Sequence, residues 1–381
     1  MLSLFLHQDP KTEKEKLLII IYFVSQDGTM MYRYVESLVV LICVSSEGTL
    51  LRVKRYFVQE YQMNLCNFRV EKKFGGILGT PDLSLLSTFV CPSRCTTVDV
   101  GKQSKSLHGE CSMIVAGSAD GHLYRMKLTL PTIPGSSPSA IRLDSADFVD
   151  TELLVFAKPH RGCCSSVAVH EAGNVAASVS LDGTLCVSSL DDSSRTKASR
   201  VHYDSGGAVS FSTCGWTMSG DSLVTTSHQG AASVWDLRDA RSTLRLGYGQ
   251  FNLSDKIRGE SLISLACNPA KSHVCVVGTD GGHLCEWDFR YPKEPTYIEY
   301  VDGSIKSITY ENQGSTVERL RFCTENGRIY KMIDREAHLL YEEPLVGFES
   351  MCVSSTGMDS QIFCSTQQEG LVYICTSSKF Y

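Results

Sequence analysis

Cys91 and Cys95, with three residues between them, and the adjacent Cys163 and Cys164 are the most closely spaced cysteine pairs in the sequence. A structural zinc site needs four converging thiolates or imidazoles. There is no C-x-x-C pair, and no second pair stands where it could complete such a site. The nucleophile patterns fail in a similar way. Gly117-Ser-Ala-Asp-Gly121 places its serine one position too early for a G-x-S-x-G elbow. No P-loop or H-E-x-x-H occurs, and Gly247-Tyr-Gly249 lacks the next glycine of a dinucleotide fingerprint. Ten histidines are scattered, none beside a nucleophile. Asp182 and Asp280 precede glycines, where aspartate serves turn geometry more often than acid–base chemistry. We expect no catalytic residues, no metal, no cofactor and no small-molecule substrate.

The composition sets the frame for these residues. With 43% hydrophobic and 20% charged residues the chain of 381 has a globular balance. A net charge of -6 and a pI of about 5.9 do not make an electrostatic footprint for nucleic acid. The densest basic spot, Arg52, Lys54 and Arg55, is too short to change that. Sixteen cysteines could suggest disulfides, but Cys186, Cys267, Cys275, Cys285, Cys323, Cys364 and Cys375 sit singly in apolar stretches. They read as small buried hydrophobes in a reducing compartment, where the acceptor pattern Asn252-Leu-Ser254 would stay idle. Lysines 11, 14 and 16 precede an apolar run, Leu17–Val24. Its eight residues fall short of the ~20 needed to span a bilayer, and no cleavage site follows, so a buried strand is expected instead of membrane insertion.

The elements that must position these residues repeat. An apolar strand, a polar residue, a glycine turn and a second strand recur at 115–124, 176–185, 223–232, 276–284, 322–329 and 363–371, with an N-terminal copy at 42–50. Asp-Gly and Asn-Gly supply the positive φ that tight hairpin turns require. Apolar runs of four to eight residues without helical periodicity are strand behaviour. Gly121, Gly183, Gly230, Gly281, Gly327 and Gly370 are spaced by 62, 47, 51, 46 and 43 residues. Four-stranded propeller blades run ~40–45 residues. The long first interval holds Pro131-Thr-Ile-Pro-Gly-Ser-Ser-Pro138, so residues 129–150 are expected to be a loop insertion. Gly48 lies 73 residues before Gly121, which calls for a degraded blade or a long insertion between them; Gly28 is a further possible turn within the first blade.

Residues 160–191 resemble the WD-repeat consensus, with His160, Val167, Gly173, Ser178, Asp182-Gly183 and Leu190-Asp191 in register. Trp235-Asp-Leu-Arg238 and Trp287-Asp-Phe-Arg290 resemble its terminal signature. The resemblance covers residues 111–375. It implies a hydrogen-bonded network of histidine, strand hydroxyl, turn aspartate and tryptophan. Here His160, Ser178 and Asp182 match, whereas Ser188 and Ser189 stand where tryptophan belongs. Trp235, Asp236, Asp280, Trp287 and Asp288 complete the set of structural signature residues, with both tryptophans expected between blades. The fold class is therefore all-β, a single seven-bladed WD-repeat β-propeller over residues 1–381, with divergent first blades in 1–110. The order of motifs, including Asp204-Ser-Gly-Gly-Ala-Val209, Ser227-His-Gln-Gly230 and Asn268-Pro269, is similar to that of the small peripheral WD-repeat nucleoporins of the nuclear pore's outer-ring Y-complex.

That resemblance implies a non-enzymatic scaffold in the nucleus, at the nuclear pore. Its partners would be other Y-complex nucleoporins, its service nucleocytoplasmic transport including that of mRNA, and kinetochores a second site in mitosis. An alternative is a substrate receptor of a cullin-four ubiquitin ligase. The paired Trp-Asp-x-Arg boxes resemble the motif that docks such receptors on their adaptor, with Arg238 and Arg290 as the docking candidates. A third class, a hydrolase with its site at the central channel, would need clustered histidines and carboxylates there.

Overall fold

The computed structural model describes residues 2–3, 20–23, 37–44, 50–58, 83–90, 93–101, 104–106, 109–130, 153–170, 173–190, 199–237, 242–246, 257, 259–311, 319–343, 347–356, 359–366 and 371–377. These residues form strands β1 to β29 and no helix. They make seven antiparallel sheets, numbered here as blades in chain order. Blade 1 holds β2 (Ile20–Phe23), β3 (Ser37–Val44), β4 (Leu50–Val58) and β5 (Leu83–Val90). Blade 2 holds β6 (Cys95–Val100), β8 (Gly109–Ser118), β9 (Leu123–Leu130) and β10 (Leu153–Ala157), with the short β7 (Ser104–Ser106) paired to β8. Blade 3 is β11 (Cys164–Val169), β12 (Val175–Ser180), β13 (Thr184–Ser189) and β14 (Ser199–Asp204). Blade 4 is β15 (Phe211–Trp216), β16 (Ser222–Ser227), β17 (Ala232–Asp236) and β18 (Ser242–Leu246). Blade 5 is β19 (Leu262–Cys267), β20 (Val274–Thr279), β21 (His283–Asp288) and β22 (Tyr297–Tyr300). Blade 6 is β23 (Ile305–Glu311), β24 (Arg319–Thr324), β25 (Arg328–Ile333) and β26 (Glu336–Glu342). Blade 7 joins β27 (Phe348–Thr356), β28 (Asp359–Thr366) and β29 (Leu371–Ser377) to β1 (Leu2–Ser3), which pairs with β29 through Leu2↔Tyr373 and Ser3↔Val372.

The first strand of each blade from 2 to 6 contacts the first strand of the next, and β2 contacts both β27 and β6. The strands therefore meet around a ring, in which each blade has a neighbour on either side. The core is accordingly divided among the joints. One apolar cluster sits between blades 2 and 3, with Val115 and Leu123 against Cys164 and Ala176. Others fill the next joints: Val179 and Leu185 against Phe211 and Trp235, and Val224 and Val234 against Leu262 and Trp287. Val276 and Leu284 meet Ile305 and Phe322, and Ile329 and Tyr341 meet Phe348 and Ile362. A strand inside a blade faces two such clusters, so all six residues of β20 are buried, whereas the outermost β22 is half-buried or exposed.

A polar device repeats at the joints. The first strands of blades 2 to 7 each shift register after their first residue, as a β-bulge. At or just beyond the bulge a hydroxyl donates to a carbonyl of the next blade's first strand. Thr96 donates to Cys164 O at 2.5 Å, Ser165 to Phe211 O at 2.7 Å, and Ser212 to Leu262 O. Ser264 donates to Ile305 O at 2.7 Å and Ser307 to Met351 O at 3.3 Å.

The glycine turns lie between the second and third strands of blades. Gly121, Gly183, Gly230 and Gly327 have φ of 86°, 82°, 77° and 75°. In blade 5 the left-handed residue is Gly282, at 92°, and not the expected Gly281. Gly282 N–H donates to Thr279 O across the same three-residue step that links Gly121 to Ser118, Gly183 to Ser180, Gly230 to Ser227 and Gly327 to Thr324, so the turn keeps its spacing and Gly281 falls one place before the left-handed position. A Cβ at Gly121 would lie 2.3 Å from His160 O, so close packing of the entering loop adds to the backbone requirement. Between blades 1 and 2 the described residues form no further sheet, and β7 is an added hairpin on β8. Gly28, Gly48, Gly370 and most of the insertion, from residue 131, lie outside the described residues.

Candidate functional site

Blade 3 assembles the predicted network. The loop before β11 delivers His160, which is 1% exposed. Its Nε2 is 2.8 Å from Ser178 Oγ, and its Nδ1 is 2.5 Å from Thr184 Oγ1. Thr184 Oγ1 donates to Asp182 Oδ1 at 2.6 Å. The threonine hydroxyl must therefore accept from Nδ1–H, which leaves Nε2 to accept from Ser178. Asp182 Oδ2 also accepts the backbone N–H groups of Arg161, at 2.6 Å, and Gly162, at 3.0 Å. Burial lowers the His160 pKa to about 4, against the attraction of Asp182, so the ring is neutral at neutral pH. Burial alone would raise Asp182, but the hydrogen bonds from Thr184, Arg161 and Gly162 hold it at about 2.

Register identifies the tryptophan position. Leu223 pairs with Trp235 and Cys275 with Trp287; in blade 3 the corresponding pair is Ala176 with Ser188. Of the two serines expected in the tryptophan region, Ser188 thus occupies the place, and its buried Oγ has no hydrogen-bond partner among the described residues. In blade 4 Trp235 Nε1 donates to Thr225 Oγ1 at 2.8 Å. In blade 5 Val277 occupies Thr225's place, so the buried Trp287 Nε1 has no hydrogen-bond partner among the described residues. The network that one blade of this kind can complete is here shared among three. Both tryptophans sit at joints, Trp235 toward blade 3 and Trp287 toward blade 4, at 4% and 1% exposure.

Blade 5 makes an equivalent contact with exchanged parts. Glu260, from the loop before β19, lies 2.9 Å from His283 Nδ1, the residue after the turn glycine. In blade 3 the imidazole comes from the loop and the carboxylate from the turn. The exchange follows from Gly281, which stands where Asp182 stands in blade 3 and where a Cβ would strike the Glu260 carboxylate at 2.2 Å. Asp280 is displaced from the Asp182 position and instead accepts Ser261 N–H at 2.9 Å. Reading the sequence missed this pair; the histidine that follows two of the glycine turns, at 122 and 283, was the available signal. Blade 2 adds Asp120, whose Oδ2 is 2.9 Å from His122 Nδ1.

Asp236 ends β17, half-buried, and Arg238 lies outside the described residues. At the end of β21, on the rim opposite the glycine turns, Arg290 grips Asp288. Its Nε donates to Oδ1 at 2.9 Å and its Nη2 to Oδ2 at 2.5 Å, while its backbone N–H donates to Oδ1 at 2.9 Å. The Arg290 hydrogen bonds hold Asp288 at about 2. The arginine side chain remains 62% exposed, beside Tyr291 at 69%. Burial raises the thiols of Cys186, Cys214, Cys267 and Cys285 to about 12, so they are protonated and poor nucleophiles. Among the described residues no three histidines, cysteines or carboxylates are grouped to hold a metal. No helix among them is long and apolar enough to cross a membrane.

Four-stranded antiparallel sheets in a ring, hydroxyl-, imidazole- and carboxylate-bearing turns, and tryptophans at the joints define a WD-repeat β-propeller. No family model matches the chain. Among solved structures it is similar to Chaetomium thermophilum Sqt1 bound to the N-terminus of the ribosomal protein L10, with a TM-score of 0.56 and 14% identity. That similarity covers 88% of this chain and 81% of the other, and it concerns the fold. Among curated proteins the chain is similar to the nuclear pore complex protein NUP43 of Arabidopsis thaliana, 22% identical over 316 residues, covering 76% of this chain and 80% of that protein.

Proposed function

We propose that this protein is a structural nucleoporin: one seven-bladed propeller over residues 1–381, without catalytic activity, that docks other subunits of the nuclear-pore outer-ring Y-complex and so supports nucleocytoplasmic transport. The similarity to NUP43 across most of both chains carries the reading. The architecture suits the role. Joints filled by apolar clusters and hydroxyl bonds make a preformed surface, and a preformed surface binds with little reorganisation. The Sqt1 structure shows a propeller of similar fold holding a protein segment, which supports a polypeptide as the class of partner.

A fluorescent fusion at endogenous level tests the proposal. A smooth nuclear rim with co-purification of outer-ring subunits supports it, and a diffuse signal without them overturns it. The cullin-four alternative rests on Arg290, exposed and aimed by Asp288. Joint substitution of Arg238 and Arg290 by alanine should leave the rim signal unchanged under the nucleoporin reading. Loss of binding to the ligase adaptor would favour the alternative.

A further inference from the structure

Blade 4 leaves open a place that its neighbours fill. The residue after the turn glycine is His122 in blade 2, Thr184 in blade 3, His283 in blade 5 and Arg328 in blade 6; in blade 4 it is Ala231. In three of those blades this side chain ties the turn to the loop entering the blade. Thr184 meets His160, His283 meets Glu260, and Arg328 Nη1 lies 2.9 Å from Asp302. The alanine cannot reach its loop. That loop, Ser205–Ser210, carries no histidine, and among the described residues nothing lies within 4 Å of a Cβ added at Gly206 or Gly207. A niche results, lined by Tyr203, Phe211, Thr225, Ser233, Trp235 and Arg245 among others.

The walls of this niche match an imidazole. Thr225 stands at the register position of Ser178, whose hydroxyl meets His160 Nε2. Thr225 is 1% exposed and already accepts from Trp235, so its own hydrogen needs an acceptor. Tyr203, Phe211 and Trp235 form an aromatic wall, with centroids 4.9 to 6.3 Å apart. No carboxylate is among the described residues that line the niche, and Arg245 stands at it, so a neutral ring fits better than an imidazolium. Blades 2, 3 and 5 each place a histidine of their own at this level: His122, His160 and His283.

We propose that the blade 4 niche receives the imidazole of a histidine presented by a partner polypeptide, the ring taking the place that His160 takes in blade 3. The site is independent of which assembly the protein joins. Localisation tests the assembly, and the following titration tests the niche alone.

The full chain, labelled with ¹⁵N at its tryptophan indoles, is titrated with 4-methylimidazole at pH 8. The Trp235 Nε1–H resonance should shift saturably while Trp287 stays in place. The apparent affinity should weaken at least several-fold as the pH is lowered and the free ring takes up a proton. Ala231→Leu, which fills the niche, should abolish the shift. Acetate at equal ionic strength should leave it unmoved. A linear, non-saturating response in the unmodified protein overturns the proposal, whatever the fold of the variant. So does a stronger response to acetate, or a shift that persists in a folded Ala231→Leu protein.

Discussion

His160 is a buried base kept neutral, and this gives the protein an acid-sensitive element. Its folded pKa, about 4, lies below the ordinary 6.5, so the unfolded chain binds the extra proton between these values. The contribution to stability is complete above pH 6.5 and is lost as pH falls through 4, a difference on the order of 3 kcal/mol. His160→Gln should lower stability at pH 7.5 and flatten the slope between pH 6.5 and 4.5 in urea unfolding. Asp182, depressed to about 2, adds a second loss only below pH 3.8. Asp99 has the opposite sign. Its Oδ2 accepts Val169 N–H at 2.6 Å across the joint of blades 2 and 3, yet burial raises its pKa to about 6. The folded state then binds the extra proton between 3.8 and 6, and stability falls as pH rises through that window. Asp99→Asn retains an acceptor for Val169 and removes the ionisation cost. It should raise the melting midpoint at pH 7.5, by an amount worth ~1–2 kcal/mol, with the gain shrinking as pH falls through this window and gone below pH 3.8.

Within the elements, register decides which hydroxyl matters. Thr225→Val removes the acceptor of a buried indole N–H and should cost about 1–3 kcal/mol. Ser188→Ala removes a buried oxygen that has no partner among the described residues and should be neutral or stabilising. Urea midpoints of the two variants, measured together, check the contrast; equal losses would contradict it. The glycine turns were legible because a left-handed residue in a tight turn between two strands has few chemical solutions. The same regularity misplaced one of them. Gly281 and Gly282 are adjacent, and only the backbone shows which is left-handed. The bulge hydroxyls at Thr96, Ser165 and Ser212 carry no local signature, since a serine in a strand looks the same whether its partner is solvent or a neighbouring blade.

At the scale of the whole molecule, each blade is stabilised by burying its faces on two others, so damage to one joint should be felt throughout. Trp235→Ala empties the joint of blades 3 and 4 and should cost about 3–5 kcal/mol. Closure predicts that the loss appears as a lower midpoint of one transition, coincident by far-UV circular dichroism and by fluorescence. Two separated transitions would mean that the blades unfold as an open array.

Local chemistry is written in short stretches of chain, so the strands, their glycine turns and the placement of His160, Ser178, Asp182, Trp235 and Trp287 could be read directly. Contacts between distant residues are not written there. The pairing of Leu2 and Ser3 with β29, the exchange that sets Glu260 against His283, and the open niche beside Ala231 all depend on which loop meets which blade. Only ring closure fixes those meetings, because it holds each entering loop against the turn of the blade it enters.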